Sequence, residues 1–120
     1  MMSKSQIESL KKSKGGRRSR DKGNRAERAI TKFLQHRGFA AERVPLSGSA
    51  GGSFVGDITI LLLGVDRCAE VKVRADGFRV LYGWLEGRDL LIVKADRAEP
   101  LVVLPLRFAA EIAAKAEGNR

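Results

Sequence analysis

Asp57 lies thirteen residues before Glu70-Val71-Lys72, and these four positions carry the chemistry most legible in the chain. On a strand, side chains two apart share a face, so Glu70 and Lys72 project together while Val71 and Val73 point the other way. Asp57 opens an apolar run, Asp57-Ile58-Thr59-Ile60-Leu61-Leu62-Leu63, and the short Gly64-Val65-Asp66 connection predicts a hairpin. That pairing brings two carboxylates and an amine to one end of a sheet. Carboxylates held close repel unless a proton or cation intervenes, and a hard divalent metal with oxygen ligands is the natural cation. An Asp, a Glu and a Lys around such a metal are equipped to hydrolyse a phosphodiester. Alone, Glu-x-Lys is a weak signal, since it also marks any solvated strand face. The preceding acid, the apolar strand between and the basic composition give it weight.

The elements that must position these residues follow from periodicity. Lys22 to Arg37 reads as a first helix, with Ala26, Ala29, Ile30, Phe33 and Leu34 at helical spacing and Gly38 as a left-handed stop. Asp21 or Asn24 is positioned to cap its start, and Glu27 borders its buried stripe. Phe39 to Val44 reads as a strand, and the Gly/Ser-rich stretch from Pro45 to Ser53 as a loop. The hairpin takes residues 54–63 and 67–73. A short helix from Phe78 to Leu85 carries Leu81 and Trp84 and is interrupted by Gly83. Strands at Leu90–Ala95 and Leu101–Leu106 flank a polar turn, and an Ala-rich helix runs from Leu106 to Glu117 with Phe108, Ile112 and Ala116 at helical spacing. The order α-β-β-β-α-β-β-α predicts an α/β domain, a mixed central β-sheet flanked by helices. Its strands are too apolar for a sheet wet on one whole face.

A chain of 120 residues is one domain with a single core. The lone cysteine, Cys68, excludes an intrachain disulfide and a thiolate zinc cluster; this fits a reducing cytoplasm and reads as a core or near-core residue. No apolar run reaches about 18 residues, so no membrane-spanning helix or secretory signal is expected. Net charge is +9, and residues 1–25 hold nine Lys or Arg against Glu8 and Asp21, which leaves only +2 for the rest. So basic a segment, without hydrophobic periodicity, is expected to be a disordered arm (residues 1–21) ahead of a domain over 22–120. Its natural partner is a polyanion, with the salt dependence that phosphate neutralisation brings.

The chain resembles the PD-(D/E)xK nuclease superfamily, and within it the archaeal-type Holliday junction resolvases. The likeness begins at Gly23-Asn24-Arg25-Ala26-Glu27-Arg28 and continues through Gly38-Phe39-Ala40-Ala41-Glu42-Arg43. A serine-bearing loop, Asp57-Ile58, Glu70-Val71-Lys72 and Leu91-Ile92-Val93-Lys94 complete it, over residues 22–106.

The resemblance implies a restriction-endonuclease-like core and roles for particular residues. Glu27, Asp57 and Glu70 are the implied acidic set around magnesium, with manganese as a substitute, and the main-chain carbonyl of Val71 is a further ligand. Lys72 orients the attacking water or neutralises charge on the phosphate. Ser47 or Ser49 assists from the loop, and Lys22, Arg25, Arg28, Arg43 and Lys94 contact DNA. The expected activity is magnesium-dependent cleavage of branched DNA, a four-way junction above all. Two symmetric cuts imply a homodimer, and Trp84 is a candidate for its interface or, equally, for the core of the single domain. Two alternatives stand beside this reading. Another nuclease of the superfamily would nick flaps, ends or single strands. A non-catalytic basic DNA-binding module would explain the arm and leave the acids as coincidence.

Overall fold

The computed structural model describes residues 4–44 and 57–119, those before Arg20 as backbone only. Along the chain run α1 (Lys4–His36), β1 (Ala41–Arg43), β2 (Ile58–Leu62), β3 (Val65–Ala69), α2 (Arg79–Leu85), β4 (Leu91–Val93), β5 (Leu101–Val103) and α3 (Leu106–Glu117). This is the predicted order. Pairing is less continuous than predicted: β1-β2-β3 form one sheet and β4-β5 a second, every pair antiparallel among the described residues.

The first helix begins at Lys4, not at Lys22, so residues 4–21 are helical where a disordered arm is expected. Lys, Arg, Gln and Glu are good helix formers, and extending an existing helix escapes the cost of nucleating one. Asp21 and Asn24 consequently sit inside the helix and cap nothing. Its other end is as predicted. Gly38 takes φ +88°, its N–H bonds to Gln35 O at 3.1 Å, and the Phe39 N–H reaches Leu34 O at 3.1 Å. That pair of bonds satisfies carbonyls the helix would otherwise leave open.

α3 stops in the same way at Gly118 (φ +74°), with the Asn119 N–H on Ala114 O at 2.8 Å. The two helix ends meet: Asn119 Nδ2 donates to Arg37 O at 3.5 Å, and a Cβ at Gly38 would come 3.4 Å from the Asn119 side chain. α3 also reaches the sheet, where Glu117 accepts a hydrogen bond from the Leu63 N–H.

Leu34, Phe39, Ala41, Ile58 and Ala110 form the buried core, with Ile30, Phe33, Ile60, Leu62, Ala69 and Val71 packed around it. It lies between the C-terminal half of α1, the first sheet and α3. The packed stripe of α3 is Ala110, Ala113 and Ala114, not the expected Phe108, Ile112 and Ala116; Ile112 faces outward. Small side chains let the helix lie close, and closeness decides the face here. Thr31 is buried on α1 because its hydroxyl donates to Glu27 O at 2.7 Å, which removes the cost of an unpaired polar group.

The hairpin turns on Leu63 (φ +52°) and Gly64 (φ +76°), a two-residue connection that pairs Leu62 with Val65. Two consecutive positive φ values match the twist of the flanking strands. β3 is an edge strand exposed along most of its length, so Cys68 is exposed instead of near the core. Among the described residues no helix is long and apolar enough to cross a membrane.

Candidate active site at the end of the first sheet

Strand register converges the predicted residues. Arg43 pairs with Ile58, and Ile58 with Ala69. Asp57 and Glu70, each one step beyond, therefore end their strands side by side. Backbone bonds from Asp57 N to Ala69 O (2.8 Å) and from Val44 N to Asp57 O (2.9 Å) hold Asp57 between its neighbours. The Asp57 carboxylate is fixed as well, since its Oδ2 accepts the Val71 N–H at 2.7 Å. One carboxylate thus clamps the Glu70-Val71-Lys72 backbone, which has left the ladder at Ala69.

Beyond β3 the chain stays extended, and exposure alternates. Glu70, Lys72 and Arg74 face solvent, whereas Val71 and Val73 are half-buried. Lys72 Nζ lies 2.9 Å from Glu70 Oε1, with both side chains more than half exposed. An ion pair this wet contributes little to stability and leaves both groups free to exchange partners.

Glu27 approaches from α1 and is held differently. Arg43 Nη2 (2.9 Å) and Nε (3.2 Å) both donate to Glu27 Oε2, and Nη2 also donates to Asn24 Oδ1 at 3.1 Å. The Glu27 side chain is only 12% exposed. This pair bridges α1 to the end of β1, beside Asp57. It also engages the arginine expected on a phosphate and the acid expected on a metal. Among the described residues no three His, Cys, Asp or Glu side chains group closely enough to hold one metal ion together. The oxygens that do lie at the sheet end are those of Asp57, Glu70 and the Val71 main chain.

The remaining candidates are dispersed. Lys22, Arg25 and Arg28 are exposed on α1, an open cationic run leading to Glu27. Lys94 follows β4, in the second sheet, where its Nζ donates to Ala95 O at 3.2 Å. Ser47 and Ser49 lie outside the described residues. Three further residues stand beside these candidates. Asn24, expected as a helix cap, instead accepts from Arg43 and orients it. Arg74 was signalled by the two-residue alternation that continues past Lys72. Tyr82 gave no signal, because a tyrosine on a short helix has no characteristic spacing.

A cleft of about 490 Å³ opens from Lys72 between α1, the extended segment and α2. An α/β scaffold with acids, a main-chain carbonyl and an amine at one sheet end, beside a cationic cleft, is the architecture of a nuclease. The chain belongs to the archaeal Holliday junction resolvase family (Hjc), which matches residues 18–113. Neither the comparison with curated proteins nor that with solved structures gave a match. Membership makes this a junction-resolving nuclease by family, and the three helices with two small antiparallel sheets are consistent with the family's restriction-endonuclease-like fold.

Proposed function

We propose that the protein is a magnesium-dependent endonuclease that resolves four-way DNA junctions by paired, symmetric cuts as a homodimer in the cytoplasm. The observation that carries this reading is the clamp of Asp57 on the Val71 N–H, which joins the first acid to Glu70 and Lys72 at one sheet end. Family membership supports the substrate class.

The donor set suits the metal. Asp57, Glu70 and the Val71 carbonyl are all oxygen ligands, and magnesium is commonly bound through one or two carboxylates with water completing its shell. When bound, the ion would supply Lewis acidity toward the phosphate and acidify a water. Asp57 is pre-set by its backbone bond, and Glu70 is free to turn from Lys72. Lys72 then directs its ammonium at the attacking water or at charge building on the phosphate. Glu27 acts through Arg43, holding that guanidinium between α1 and the site. Lys22, Arg25 and Arg28 draw the phosphate backbone along α1, Lys94 adds a more distant contact, and Ser47 or Ser49 contributes from its loop. Such contacts read shape and phosphate in preference to sequence.

Cleavage of a synthetic four-way junction, with and without magnesium, tests the whole reading. Asp57→Asn and Glu70→Gln should each lower turnover by more than about a hundredfold, beyond the cost of losing a group that merely supports a ligand. Junction affinity should hold, because it rests on cations. Near-normal turnover of either variant at saturating magnesium removes the metal assignment. Deleting residues 1–20 should weaken DNA binding and flatten its salt dependence while the melting transition of the domain persists. Equal salt slopes for both chains would deny the basic segment a role in binding.

A further inference from the structure

We propose that the cleft beside Lys72 is a subsite for one unpaired nucleotide, its base stacked on Tyr82 and its flanking phosphates held by Arg74 and Arg79. The inference rests on the nuclease reading above and adds what that reading lacks, a device that senses an unstacked base next to the cutting centre.

Tyr82 is the first observation. It lies on α2 with its side chain lining the cleft, yet the residue is 76% exposed. Leu81 and Leu85 of α2 and Phe78 just before it are half-buried, so the fold does not need this ring for its core. An aromatic face presented to water beside cations is what stacks on a nucleobase, and stacking accepts any base because each has a π-face.

The charges are the second observation. Lys72, Arg74 and Arg79 line the cleft against one acid, Asp76. Arg74 makes no ion pair among the described residues; its Nη1 donates to its neighbour's carbonyl, Val73 O, at 2.8 Å. Arg79 Nη2 lies 2.9 Å from Asp76 Oδ1, but both side chains are more than three-quarters exposed. An ion pair so exposed is weak, and a phosphate offers the guanidinium a doubly hydrogen-bonded alternative. The floor is apolar, from Ala26 and Ile30 of α1 and from Phe78. Cationic rim, aromatic wall and apolar floor match a nucleotide, which is anionic at one end and flat and apolar at the other.

Paired duplex cannot use this site. Its bases are stacked internally, and extruding one costs stacking and pairing energy; an already unpaired base escapes that cost. A branch point interrupts the stack, so a base beside it is extruded at a lower stacking cost than one inside a duplex. Lys72 belongs to the cleft and also pairs with Glu70 at the sheet end, so a nucleotide held here sets its neighbouring phosphate there.

The test is binding of the full chain, without metal, to a labelled oligothymidylate and to a paired duplex of equal length. Tyr82→Leu should weaken oligothymidylate binding about tenfold and leave duplex affinity within about twofold, as for an ordinary surface change. Tyr82→Phe keeps the ring and should restore what leucine loses. Arg74→Ala should reduce the salt slope by about one for the oligothymidylate. The proposal is overturned if Tyr82→Leu leaves oligothymidylate binding unchanged, or if both substrates fall equally. It is also overturned if the variant shifts only the sedimentation of the protein, which assigns Tyr82 to contact with a second copy. Because the readout needs no magnesium, the two readings fail separately. A protein that stacks thymidine through Tyr82 but never cuts a junction loses the nuclease reading and keeps the subsite. An active resolvase indifferent to Tyr82→Leu does the reverse.

Discussion

The two sheets meet opposite fates, and the wholly apolar strands, β4 and β5, are the more exposed, while β1 and β3 of the first sheet carry charges. In the first, Ile58 is fully buried, and α1 and α3 close over it. In the second, no residue of β4 or β5 is buried; Ile92 is 65% exposed, and Leu101 and Val102 are also open to water. Trp84 and Val80 on α2 extend that exposure, and an apolar cleft of about 430 Å³ lies between α2 and the β5–α3 link. The acids belong to the first region, whose geometry is set by its own core. The second offers the kind of apolar surface that monomers rarely leave uncovered. The candidate acids and the exposed apolar surface thus lie in two different parts of one small chain.

The sharpest way to break the comparison is to cut the same amount from each sheet. Ile58→Ala should lower the free energy of unfolding by about 3–4 kcal/mol, the cost of a lost side chain plus the cavity left behind. Ile92→Ala should cost the isolated chain less than about 1 kcal/mol, because little of that side chain leaves water on folding. Urea unfolding of both variants decides it, and equal losses would mean that the second sheet is as well covered as the first. A smaller effect is expected at the junction of the two helix ends. Gly38→Ala forces a Cβ into a left-handed conformation, at roughly 1–2 kcal/mol, and brings it only into ordinary contact with Asn119. Asn119→Ala should remove only that contact, so the double variant should remain close to Gly38→Ala in its melting temperature.

Much of this division is legible in the sequence. Helical and alternating periodicities yield the element order, the limits of α3 and the hairpin that sets Asp57 opposite Glu70, since each rests on local spacing. The turn itself is displaced, because Leu63 adopts a positive φ that its type does not advertise. The start of α1 is hidden because charged residues serve a helix or a coil equally well. α3 packs by alanines, and volume at the contact, which spacing does not encode, selects its face. The Glu27–Arg43–Asn24 linkage joins residues 16 and 19 apart; only the fold brings them together. The break between the two sheets is likewise a long-range pairing choice to which a strand pattern is blind.

The smallest change in the stability of the single chain should come from Trp84, and it bears most directly on partnership. The residue is 57% exposed on α2, so it does not fill the core of its own domain. Trp84→Ala should therefore shift monomer unfolding by no more than about 0.5 kcal/mol, as for an ordinary surface position. If a second copy covers this face, the same substitution removes a large aromatic from a desolvated contact, where truncation costs about 2 kcal/mol or more. Sedimentation velocity should then show weaker association, and junction cleavage should pass from paired incisions to single nicks. The difference between the two measurements is the informative quantity, since a core residue would lower both together. Should the native protein sediment as a monomer, both free and on a junction, one active site would act alone. The exposed second sheet would then need another occupant, and the proposal of paired cuts would fall.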